Sequence, residues 1–158
     1  MVFSFARIGA VTQMKVGDYF VQGRRRWVRL HEKDGKEHDV PCHHHLDQCL
    51  HDYIEAAGLT DDVDGYLFRS ARRKTGQLTT NPLSQQDAII RRRAKAAGIE
   101  TRIGNHTFRA TGITAYLKNS GKLEVAQQIA NHESPRTTKL SDRRQDEISL
   151  DEIERITI

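Results

Sequence analysis

Asn105-His106-Thr107-Phe108-Arg109-Ala110-Thr111-Gly112 is the stretch on which the rest of the chain hangs. A histidine and an arginine stand three positions apart at the head of an apolar-periodic run ending near Lys118. Residues three apart on a helix share a face. One imidazole and one guanidinium then reach the same anion. His106 by itself fits a core or surface histidine better than a site, and it is Arg109 one turn on that favours a site.

Outward from this helix, predicted over Thr107–Lys118, a shorter one is expected over Leu123–Ala130, between Gly121 and Asn131. Pro135 is expected to break the chain. Upstream, Asn81-Pro82 precedes a helix predicted over Leu83–Ala97 that ends at Gly98. His44–Ala57 has Leu46, Cys49, Leu50, Tyr53 and Ile54 at helical spacing, with Gly58 as its stop. Lys15–Pro41 predicts a small antiparallel sheet of two or three strands. Its hairpin signal is Asp34-Gly35, and its return strand, Glu37–Val40, is stopped at Pro41. Thr60–Gly65 reads as an acidic loop, Tyr66–Phe68 as a short apolar strand or turn, and Arg69–Gln77 as basic and exposed.

Met1–Met14 reads as an amphipathic helix with Val2, Phe3, Phe5, Ile8 and Val11 apolar and no cap before it, which predicts missing upstream sequence. A last amphipathic segment opens at Ser149, with Glu152 at the capping-box position. The fold class expected is α+β: mostly α-helical with a small antiparallel β-sheet, in a single domain spanning residues 1–158.

The 158 residues carry a formal net charge of +4 and a pI near 9.2, a mild lean toward anionic partners, nucleic acid first. The spacing of Cys42 and Cys49 matches no zinc or redox motif. No window approaches the roughly 20 apolar residues of a membrane span, and no signal peptide is evident, so a cytoplasmic protein is expected. His43-His44-His45, with His31, His38 and Cys42 nearby, fits a solvated loop better than a metal site. Arg24–Arg26, Arg72-Arg73-Lys74 and Arg91–Arg93 are either solvated charge runs or phosphate contacts.

A second stretch, Asn131-His132-Glu133-Ser134-Pro135-Arg136-Thr137-Thr138-Lys139-Leu140-Ser141, turns the pattern into a resemblance. It resembles the G-H-x-x-x-x-T-T-x-x-Y box of tyrosine recombinases of the phage-integrase type, as His106–Arg109 resembles their H-x-x-R box. His132 falls on the third conserved histidine or tryptophan, Thr137 and Thr138 on the paired threonines, and Ser141 on the nucleophilic tyrosine. Asn131 stands where glycine is usual. Phe5-Ala6-Arg7-Ile8-Gly9-Ala10 resembles the G-x-R-x-x-E box with Arg7 as the first arginine, but its glycine and glutamate are replaced. Glu32–Pro41 resembles the hairpin bearing the catalytic lysine, with Lys33 the better match and Lys36 the fallback.

The resemblance implies the catalytic domain of a DNA breaking-rejoining enzyme, without metal or nucleotide cofactor, and implies an upstream core-binding domain that is absent here. A tyrosine oxygen attacks a backbone phosphate, a 3′-phosphotyrosyl link forms, and a 5′-hydroxyl leaves. Arg7 and Arg109 would carry the phosphate charge, Lys33 would protonate the leaving oxygen, and His106 and His132 would position the phosphate. Ser141 departs from the pattern. A phenol has a pKa of about 10, whereas an aliphatic hydroxyl is far less acidic and shorter by the whole ring. The expectation is a domain that binds duplex DNA and does not cleave it efficiently. The alternative is a non-enzymatic remnant that binds DNA weakly or pairs with an intact recombinase. The C-terminal segment would either dock on a neighbouring protomer or pack on its own core.

Overall fold

The computed structural model describes residues 1–85, Gly98 and residues 104–141. Past Gln85, the helix expected over Leu83–Ala97 lies outside them, as do Arg91–Arg93 and the segment opening at Ser149.

The predicted sheet is present with three strands, β1 (Tyr19–Gln22), β2 (Arg25–His31) and β3 (Glu37–Pro41), antiparallel in that order. Alternation sets its faces. Val28 and Leu30 point inward, and Val28 lies opposite Val40 in the register. Arg29 takes the outer face and bridges its cross-strand partner Asp39 with hydrogen bonds of 2.9 and 3.0 Å. A single 3-10 turn over Lys33–Gly35 joins β2 to β3, with Gly35 at a positive φ of 72°.

Helix α1 (Ile8–Gln13) corrects the expectation for Met1–Met14. Only its second half is helical, and Arg7 is an extended residue at the helix entrance. The physical reason is Phe5, whose φ of 49° reverses the chain just before it. That bend sends neighbouring side chains into different cores. Ala6 packs with Ala10, Met14, Val28, Leu30 and Leu50 beneath the sheet and helix α2 (His44–Ala56). Phe5 packs with Ile113, Leu117, Ala126 and Ala130.

The second core belongs to α3 (Asn105–Lys118) and α4 (Leu123–Ile129). Helix α3 starts two residues earlier than periodicity suggests, because the Thr107 hydroxyl accepts the Gly104 amide at 3.0 Å and fixes the first turn. Gly112 lets the N-terminal stretch lie against this helix. A Cβ there would overlap the Val2 carbonyl oxygen and sit 3.0 Å from the Phe5 ring.

Two further expectations change. Pro135 does not simply break the chain; it is the first residue of α5 (Pro135–Ser141). Proline is tolerated there because the first helical amide has no partner to lose, and Ser134 Oγ accepts the next amide, from Arg136, at 3.3 Å. The basic stretch Arg69–Gln77 opens with a strand, β4 (Arg69–Ala71), that pairs antiparallel with β5 (Leu78–Pro82) just beyond it. Its strands carry no apolar alternation, and a Ser70–Thr79 hydroxyl pair at 2.6 Å links them instead.

Candidate functional site: a basic pocket between two cores

The site forms where the cores meet. Arg109 projects from the second turn of α3 into the gap and is 5% exposed. Its Nη1 donates to the carbonyl of Phe5, and its Nη2 donates to the carbonyl of Ala130. Ala130 precedes Asn131, which has a φ of 47°. Both carbonyls therefore lie at or beside a left-handed residue, and both bends direct an oxygen onto one guanidinium. Among the described residues two of its five donors are used, and three face no described acceptor. Burial, and then the charge of Arg7, lower the Arg109 pKa to about 10, with Glu32 opposing the drop.

Arg7 reaches the same gap from the entrance of α1. Its Nη1 pairs with Glu32 Oε2 at 2.7 Å, and its Nη2 donates to the Asn131 carbonyl at 3.4 Å. His132 is buried with Nδ1 2.9 Å from Thr138 Oγ1, itself fully buried. Desolvation, and then Arg109 and Arg7, lower its pKa to about 4, so the imidazole is neutral at pH 7.

Two adjoining cavities share Arg7, His106 and Arg109 as walls. The smaller, about 320 Å³, adds His132, Thr137 and Leu140. The larger, about 460 Å³, adds Lys33, His31 and Glu32. The structure thus brings Arg7, Lys33, His106, Arg109 and His132 around one continuous region. Lys33 lines it from an exposed turn, whereas Lys36 lies 3.8 Å from Glu133. Ser141 is the last residue of α5, the helix that carries Thr137 and Leu140 to the smaller cavity and Thr138 to His132.

The model of the phage integrase family matches residues 1–145 of this chain. The chain belongs to the phage integrase family.

Tyrosine recombinase XerD of Corynebacterium glutamicum is 27% identical over 139 residues, which is 85% of this chain and 43% of that protein. Tyrosine recombinase XerC of Corynebacterium efficiens is 26% identical over 134 residues, 85% of this chain and 41% of the relative. The chain therefore spans less than half the length of these relatives. The crystal structure of XerA recombinase superimposes with a TM-score of 0.70 at 24% identity, covering 98% of this chain and 53% of that one. The XerH site-specific recombinase, bound to palindromic difH substrate in a post-cleavage complex, gives 0.70 at 20% identity, covering 98% of this chain and 41% of that one. The fold is that of a tyrosine recombinase catalytic domain, and the α+β class is as expected.

Two further residues of the pocket were not legible as such in the sequence. His31 lines the larger cavity and is held by the buried carboxylate of Asp18 at 2.7 Å. The sequence marks Glu32 only as the residue before Lys33 in the hairpin Glu32–Pro41. The histidine run at 43–45 stacks ring on ring, with centroids 4.1 to 5.3 Å apart, and His43 stacks on Phe3. Among the described residues no three His, Cys, Asp or Glu side chains gather as a metal cage, and no helix is long and apolar enough to cross a membrane.

Proposed function

We propose that this chain is a recombinase catalytic domain that grips a backbone phosphate of duplex DNA and lacks the nucleophile to cut it. The observation that carries this is the convergence of Arg7, His106, Arg109 and His132 on the smaller cavity. Two guanidiniums there match the charge of a phosphodiester and the further charge of its pentavalent transition state. Arg109 is pre-set by two main-chain carbonyls, so it need not reorganise when the phosphate arrives. In the neutral tautomer whose Nδ1 accepts a hydrogen bond from the Thr138 hydroxyl, His132 presents Nε2–H to a phosphate oxygen. His106 lies in the first turn of α3, where unpaired amides also favour an anion. Lys33, on its turn at the larger cavity, is placed to protonate the leaving 5′-oxygen.

Ser141 ends α5 where the family carries tyrosine. Its hydroxyl is short and weakly acidic, so cleavage is slow or absent. A second reading, a non-enzymatic remnant that binds DNA weakly or pairs with an intact recombinase, is favoured by that serine and by the replaced glycine and glutamate around Arg7. Pairing through the C-terminal segment belongs to this second reading.

The test is a duplex-DNA titration at two salt concentrations, comparing the chain with Arg7→Ala and His106→Ala. Salt-sensitive binding that weakens in both variants is expected. Binding indifferent to both substitutions would mean that the phosphate lies elsewhere.

A further inference from the structure

Arg7 enters the pocket without an acidic neighbour on its own helix. The first turn of α1 holds no carboxylate, and Ala10, one turn on, is buried against Leu30 and Met14 in the first core. An arginine side chain facing a cavity needs a fixed partner, since its long stem otherwise samples many rotamers. The partner comes from the other side of the pocket. The Glu32 side chain is 6% exposed, and its Oε2 lies 2.7 Å from Arg7 Nη1, whereas Arg7 itself is 43% exposed.

We infer that Glu32 is a positioning residue of this site, holding Arg7 toward the phosphate and tying the lysine-bearing turn to it. The backbone of Glu32 supports the second part. Its amide donates to the Lys36 carbonyl at 2.7 Å and closes the turn on which Lys33 sits. One residue thus faces two ways: its main chain shapes the lysine turn, and its side chain grips the first arginine. Its charge also helps Arg109, because Glu32 counters the pressure that burial and Arg7 place on that guanidinium. Arg7 keeps donors for a ligand, since Glu32 occupies one nitrogen and the Asn131 carbonyl takes a long bond from another.

This inference rests on the phosphate-pocket reading, and its test has a sign that bulk electrostatics does not share. Glu32→Gln raises the net charge by one, which alone strengthens DNA binding. Loss of the arginine's anchor weakens it. The expected result is a fall in duplex affinity on the order of tenfold, partly recovered in Glu32→Asp and absent when Glu32→Gln is made in an Arg7→Ala background. Binding as tight as or tighter than the parent would overturn the inference. The Arg7 Nε–H resonance supplies a readout free of DNA. Glu32→Gln should shift and broaden it, and Glu32→Asp should preserve it; an unchanged resonance in Glu32→Gln also overturns the inference. If the parent chain shows no salt-sensitive binding that Arg7→Ala weakens, the phosphate-pocket reading falls, and the resonance alone decides the role of Glu32.

Discussion

The Phe5 carbonyl accepts a hydrogen bond from the Arg109 guanidinium across 104 residues of sequence. This contact ties the segment leading into α1, which carries Arg7, to helix α3, which carries Arg109. With the Ala130 carbonyl as its other acceptor, Arg109 is a structural pin as well as a candidate ligand for phosphate.

Arg109→Lys should therefore cost both stability and binding. Lysine keeps the charge but cannot satisfy two divergent carbonyls with a planar fork, and an unpaired buried acceptor costs about 1–3 kcal/mol. Urea unfolding should show a lower midpoint with an unchanged slope. An unshifted midpoint would mean that the carbonyls find other donors.

Gly112→Ala tests the same junction from the helix side. On helix propensity alone, alanine gains about 1 kcal/mol over glycine. Here its methyl would collide with the Val2 carbonyl and crowd the Phe5 ring. Backbone is slow to yield, so overpacking of about 1–3 kcal/mol should win. A thermal melt reads the sign directly.

Asn131 separates conformation from chemistry. Its φ of 47° suits glycine or asparagine, and only its main-chain oxygen meets Arg7. Asn131→Gly should leave stability and DNA binding within about 0.5 kcal/mol of the parent, whereas Asn131→Val should lose about 1–2 kcal/mol. Equal effects of the two, measured by denaturation, would mean the side chain matters and the backbone does not.

His132 gives the domain an acid-sensitive step. Its pKa falls from an ordinary value near 6.5 to about 4 on folding. Between those values the unfolded chain binds a proton that the native chain does not, so stability rises with pH there. The contribution is complete above about pH 7 and is lost as pH drops through 6.5 toward 4, by at most about 3 kcal/mol. His132→Gln should flatten that part of the stability–pH curve while leaving the alkaline side unchanged.

Ser141→Tyr is expected to restore chemistry. In a chain that includes the rest of a recombinase, and on its cognate site, the variant should form a covalent protein–DNA adduct that survives denaturing electrophoresis, and the serine form should not. Absence of adduct from the tyrosine variant would favour the non-enzymatic remnant.

The sequence alone was enough for the helices expected over His44–Ala57, Thr107–Lys118 and Leu123–Ala130, to within two residues at their ends, and for a small antiparallel sheet of two or three strands, and it named Arg7, Lys33, His106, Arg109 and His132 as candidates. Each is written in local terms: a period of 3.6 or 2, a turn glycine, or a short motif whose spacing fixes a shared face. Tertiary structure decided the remainder. No periodicity could show that Phe5 and Ala6 enter different cores, because a chain reversal at a phenylalanine is stable only when packing on both sides holds it. The polar pair β4–β5 carries no apolar alternation, so its pairing is visible only once its partner is in place. The grip of Glu32 on Arg7, and of two carbonyls on Arg109, joins residues 25, 104 and 21 positions apart. Such contacts arise from how two cores meet, and a motif names the residues that enter a pocket without naming what holds them there.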